Sequence, residues 1–300
     1  MFWLISKVAF KTKVRRPLRK TTRFLPKREG MGIVMNLQDV QFCEELVRSA
    51  GNELLVEFEK GVPCHSKEAM AKRFEEVNPV VEARLKRSLS ERFPTYEFSD
   101  AEFNLAAQEK PEFTSPYWVM DAIDGAVHFL QNMPMWATSL CLIDGGRTVV
   151  SFVYDPCRDE LFTGINGRGA FLNGQKISTL SKSQLSECIL GTLFASSEPM
   201  NLLVGKYTAN SLTRVMPEAF AIRMQGAVSL HLAYVACGRL DGYWEYGEGV
   251  YDWLAGALLV EEAGGKITDT QGNDFCWKNT GIVAASSTIY PKLIQLTPAS

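Results

Sequence analysis

Trp118-Val119-Met120-Asp121-Ala122-Ile123-Asp124-Gly125-Ala126 is the stretch whose reading decides the fold. Tyr117 to Met120 is apolar and reads as a strand. Two carboxylates three residues apart leave the end of that strand, and Gly125 lets the backbone turn tightly. Hard cations such as Mg²⁺ take oxygen ligands from carboxylates and backbone carbonyls, with phosphate completing the shell. Asp121, Asp124 and the Ile123 carbonyl form such a set, although Asp-x-x-Asp-Gly is also a common turn.

Working outward, the residues before this stretch have helical spacing. Asn36 is a cap for apolar residues at Val40, Cys43, Val47, Ala50, Leu54 and Phe58. Asn78-Pro79 predicts the start of a second helix, with Asn78 as cap and Pro79 in the first turn, ending near Pro94. After Asp124 the period becomes two. Ser139–Ile143 and Thr148–Val153 flank Asp144-Gly145-Gly146 as a hairpin, and turns at Asp155-Pro156, Gly164, Gly167 and Asn173-Gly174 continue a meander. From about residue 181 strands and helices alternate, which places helices on both sides of a sheet. A second chemical segment lies there. Asp252 opens a helix closed by Gly264-Gly265. An Asp in that position is ordinarily a cap, but it can also bring a third carboxylate to an electropositive helix end.

These segments resemble the inositol monophosphatase family. The resemblance rests on Asp121-Ala122-Ile123-Asp124-Gly125-Ala126, on Tyr251-Asp252-Trp253-Leu254-Ala255-Gly256 and on Glu262-Ala263-Gly264-Gly265. Tyr154-Asp155-Pro156, Gly167 to Gly174 and Ala236 to Glu245 add to it, so that it covers roughly residues 36–295 in one order. It implies a layered α-β-α-β-α sandwich of α+β and α/β character. The expected division is a basic arm at 1–34, an N-terminal unit at 35–180 and a C-terminal unit at 181–300. It also implies Mg²⁺-dependent hydrolysis of a phosphorylated polyol or sugar and a homodimer. Asp121, Asp124, Asp252 and the Ile123 carbonyl would hold metal. Gly125, Ala126, Gly226, Ala227, Glu245 and Asp252 would meet substrate.

Three positions depart from the family pattern. Counted without gaps, a metal-binding Glu falls on Ala101. The water-activating Asp and Thr fall on Asn78 and Ala126. Asp100 or Glu102 could replace the Glu only through an irregular backbone, because adjacent strand residues face opposite sides. The expectation is therefore a weak phosphatase. The alternative is an inactive relative that binds a partner or works in an RNA or transcription complex.

Composition narrows the remaining classes. The chain has 300 residues, 46% of them hydrophobic and 22% charged, as a soluble globular chain has. Its longest apolar run, Trp253 to Val260, is far too short to span a membrane. The seven cysteines form no CxxC pair, which excludes a zinc ribbon and predicts free, mostly buried thiols in a reducing, cytoplasmic setting. The net charge of −2 hides an asymmetry, since residues 1–34 carry ten basic side chains and one acid, and the rest of the chain is acidic. That Arg-rich arm suits organellar targeting, RNA or an anionic surface, or is a dispensable extension with Met31 or Met35 as the start.

Overall fold

The computed structural model describes residues 35–61, 64–99, 115–194, 202–276 and 279–298. The expectations for residues 1–34 and for Asp100, Ala101 and Glu102 lie outside the described residues. Helix α1 spans Leu37–Glu59, and Asn36 Oδ1 accepts the Asp39 N–H at 2.9 Å as the cap. Helix α2 spans Lys67–Arg92, which corrects the expected start at Asn78. The cap is Ser66, whose Oγ accepts the Ala69 N–H at 3.1 Å, and Pro79 sits in the helix interior. A proline there removes one backbone hydrogen bond and costs about 3 kcal/mol or more. The buried stripe Ala71, Val77, Val81, Leu85 and Leu89 runs on both sides of it and offsets that cost, while Pro79 and Glu75 both face solvent.

The first sheet runs in sequence order: β1 Glu97–Phe98, β2 Tyr117–Asp124, β3 Ala137–Asp144, β4 Arg147–Asp155, β5 Glu160–Ile165, β6 Gly169–Leu172 and β7 Gln175–Ile177. Every pairing is antiparallel except β1 with β2. The short helix α3, Ala126–Leu130, links β2 to β3. The second sheet has the order β11-β12-β10-β8-β9, from β8 Ile189–Thr192, β9 Ala221–Met224, β10 Gly242–Tyr246, β11 Gly265–Thr268 and β12 Gly281–Ser286. Its helices are α4 Leu202–Val215, α5 Val228–Ala236, α6 Val250–Glu262 and α7 Tyr290–Leu296.

Three apolar interfaces stack these elements into five layers, α-β-α-β-α. One joins α1 and α2 to the outer face of the first sheet through Val40, Val47, Leu89, Trp118 and Phe152. The largest holds α5 and α6 between the two sheets. The third packs α7 and the end of α4 on the far face of the second sheet, through Trp244, Val283, Val215 and Leu293. Every residue of α5 is buried, which is the pattern of a helix covered on all sides. Gly256 brings α5 and α6 together, since a Cβ there would lie 2.3 Å from Leu232 Cβ. No helix among the described residues is long and apolar enough to cross a membrane. All seven cysteines are free, and Cys43, Cys64, Cys141 and Cys188 are buried.

Candidate metal centre

Residues three apart on a regular strand point to opposite faces. Asp121 and Asp124 avoid this because β2 carries a bulge. Asp121 pairs with Ser139 and Asp124 with Ala137, so two residues of β2, Ala122 and Ile123, oppose the single Thr138 of β3. The Thr138 hydroxyl donates to the Ala122 carbonyl at 2.9 Å, and Asp121 Oδ1 accepts the Ile123 N–H at 3.0 Å. Gly125 then turns the chain at φ +84, where a Cβ would lie 2.8 Å from the Met135 carbonyl oxygen and 3.0 Å from Ala227 Cβ.

Asp252 reaches the same place from the other direction. It lies in the first turn of α6, which starts at Val250 after Gly249. One carboxyl oxygen from each of Asp121, Asp124 and Asp252 lies within 4.8 Å of the others. Asp124 is buried, and burial pushes its carboxyl up, against the opposing pull of hydrogen bonds from Ser229 and Val228. Three converging carboxylates are a hard-oxygen donor set of the kind that suits a hard divalent cation.

Glu245 stands beside this cluster on β10. Its Oε2 accepts the Tyr243 hydroxyl at 2.8 Å and the Trp253 indole N–H at 2.7 Å. Burial raises its carboxyl to about 7, the two hydrogen bonds oppose that, and the Asp124 charge adds to it. Gly226 and Ala227, before α5, also come to the cluster. Ala227 packs on Gly125, and the His128 imidazole lies 2.9 Å from where a Gly226 Cβ would stand.

A family model for the inositol monophosphatase family matches residues 36–300. This chain belongs to the inositol monophosphatase family. It is 37% identical over 203 residues to a tomato (Solanum lycopersicum) protein named inositol monophosphatase 2, covering 67% of this chain and 76% of the relative. It is 33% identical over 248 residues to the Nus factor SuhB of Pseudomonas aeruginosa, covering 82% of this chain and 91% of that one. Among solved structures, the extragenic suppressor protein SuhB of Bartonella henselae superposes with a TM-score of 0.72 at 27% identity, over 87% of this chain and 99% of that chain. The inositol monophosphatase of Anabaena gives 0.71 at 27%, over 86% and 94%. Members of this family are metal-dependent phosphatases, in keeping with the acidic cluster.

Asn78 and Ala126, on which the water-activating Asp and Thr are expected to fall, are both among the described residues. Ala126 packs against an apolar cluster that includes Val77, Val81, Ile123 and Phe129. Asn78 follows Val77 on α2, and its buried Oδ1 has no hydrogen-bond partner among the described residues. The metal motif and its surroundings also include side chains to which the sequence assigned no role. Ser229 holds Asp124, Tyr243 and Trp253 hold Glu245, and the Tyr251 hydroxyl meets Ser99 Oγ. Ser229 carries a faint signal as the one hydroxyl at the head of an apolar helix. It lies in the first turn of α5, which starts at Val228.

Proposed function

We propose that this chain is a Mg²⁺-dependent phosphomonoesterase acting slowly on a phosphorylated polyol or sugar. The observation that carries this reading is the convergence of Asp121, Asp124 and Asp252 within 4.8 Å. These three, with the Ile123 carbonyl, would hold Mg²⁺. When bound, the ion neutralises phosphate charge and makes bound water more acidic. The chain's own groups then orient the substrate. Gly125, Ala126, Gly226 and Ala227 form the backbone wall, and Glu245 takes a substrate hydroxyl. With its carboxyl at about 7, Glu245 passes between hydrogen-bond donor and acceptor near neutrality. Slowness follows from the α2 flank, where an amide and a methyl stand in place of the water-activating Asp and Thr. The loss of such general-base help costs about 10²–10⁴ in rate. The charge of the Glu that falls on Ala101 is missing as well, unless Asp100 or Glu102 supplies it.

The second reading is a catalytically silent, partner-binding protein of an RNA or transcription complex. Similarity to a protein named a Nus factor over 82% of this chain favours it. A panel of polyol and sugar monophosphates with millimolar Mg²⁺, blanked by Asp121→Asn, separates the two. Slow phosphate release that vanishes in the blank supports the enzyme. Release no greater than the blank leaves the partner-binding reading. The first reading also takes the chain as a cytoplasmic homodimer, unless the basic arm directs it to an organelle, and light scattering on the full chain tests the dimer. The arm at 1–34 is the segment suited to RNA or another anionic surface, and an RNA shift assay with and without it tests that role.

A further inference from the structure

The N-cap of helix α5 is Ala227, whose methyl group accepts no hydrogen bond, so the first N–H groups need acceptors from elsewhere. They find them in the metal motif and the loop after it. The Ala227 N–H donates to the Met135 carbonyl at 3.4 Å, the Val228 N–H to Asp124 Oδ1 at 3.3 Å and the Ser229 N–H to Asp124 Oδ2 at 2.8 Å. The Ser229 hydroxyl also donates to Oδ2. Both side chains are buried, Ser229 fully and Asp124 at 4% exposure. One carboxylate of the first sheet thus caps a helix that packs on the second.

We propose that Ser229 is a positioning residue for the cation centre. Its N–H and hydroxyl together pin Asp124 Oδ2. Oδ1 takes the longer bond, from the Val228 N–H at 3.3 Å, which leaves lone-pair density for the cation. Without the hydroxyl the carboxyl group can swing out of its place beside Asp121 and Asp252. Because the same carboxylate serves the cation and α5, cation binding and the docking of α5 are linked, and each strengthens the other. This inference rests on the reading that Mg²⁺ binds at Asp121, Asp124 and Asp252.

The test compares the full chain with Ser229→Ala and Ser229→Thr by Mg²⁺ calorimetry, and by melting in EDTA and in Mg²⁺. Ser229→Ala keeps both backbone donors, so the helix retains them. Mg²⁺ affinity should fall about 10–100-fold, as it does when the group orienting a metal ligand is lost. Ser229→Thr should restore it to within a few-fold. Mg²⁺ should raise the melting temperature of Ser229→Ala less than that of the unchanged chain at equal concentration. A purely structural serine would lower melting in EDTA and leave affinity alone, so affinity within twofold of the unchanged chain overturns the proposal. If Ser229→Ala does not fold, Ser229→Cys, of similar size and a weaker donor, takes its place with the same criteria. If the unchanged chain binds no Mg²⁺, the proposed function falls first and this inference with it, an outcome distinct from equal binding by both proteins.

Discussion

The two flanks of the acidic cluster are built differently. On the cation flank, three carboxylates converge from a bulged strand end and a helix start, with a second helix capped by one of them. On the α2 flank the packing is apolar, with Ala126 against a cluster that includes Val77 and Val81, and Asn78 Oδ1 buried without a partner among the described residues. Asp124 is locked into the backbone through α5, so losing it disturbs the junction between the sheets. On the reading that Asn78 and Ala126 stand in for a water-activating pair, the second flank has changed while the first has not.

The most direct way to break this comparison is to rebuild the altered flank. Ala101→Glu, Asn78→Asp and Ala126→Thr together should raise Mg²⁺-dependent phosphate release by about 10²–10⁴. The single changes should do little, because residues that act as a unit are not additive. An unchanged chain already turning over at about 1–10³ s⁻¹ would show that the altered flank is no handicap.

The next test uses pH, and Glu245 and His231 should pull in opposite directions. Glu245 is buried and its carboxyl stands at about 7, above its ordinary range. The folded state holds that proton more tightly, so this contribution is present at low pH and is lost as pH rises through 7. His231 is 1% exposed, with its Nδ1 unpartnered among the described residues, and burial lowers its imidazole to about 4. The unfolded chain takes up that proton first, so stability is present above the ordinary imidazole range and is lost as pH falls toward 4. Each effect is at most about 3 kcal/mol, and between about pH 4.5 and 6.5 they oppose. Denaturant melts of Glu245→Gln should show stability rising with pH across that window. His231→Leu should show it falling. Parallel profiles for the two variants would contradict the assigned directions.

Packing supplies a smaller effect. Gly256→Ala would place a Cβ 2.3 Å from Leu232 Cβ, between two buried helices. The overpacking should cost about 1–3 kcal/mol, read as a lower denaturation midpoint. A neutral result would mean that α5 and α6 can slide apart, which would loosen the Asp124 cap as well. The smallest expected effect sharpens the cation flank itself. Asp121→Asn should slightly stabilise the chain in EDTA, by about 1 kcal/mol for each like-charge contact relieved under water-like screening. It should also abolish stabilisation by Mg²⁺. Destabilisation in EDTA would mean that the hydrogen bond Asp121 accepts from the Ile123 N–H outweighs the relieved repulsion.

Much of this was legible in the residues themselves. Asn36 and the stripe from Val40 to Phe58 specify α1, and the hairpin at Asp144-Gly145-Gly146 follows from its turn glycines. Asp121, Asp124 and Asp252 are readable as candidates, because short motifs encode local turns and helix starts. Tertiary packing decided the rest. Asn78-Pro79 looks like a helix start, yet a stripe extending back to Ala71 carries α2 through the proline, because burial along a whole face outweighs one missing hydrogen bond. The bulge that turns Asp121 and Asp124 the same way exists only in the pairing of β2 with β3. The cap on α5 comes from a carboxylate 105 residues earlier, and Tyr243 and Trp253 meet on Glu245 from a strand and a helix. Such contacts are set by how the layers stack, and no local spacing records them. The sequence determined which residues carry the chemistry, while the stacking of two sheets around α5 and α6 determined which of them meet.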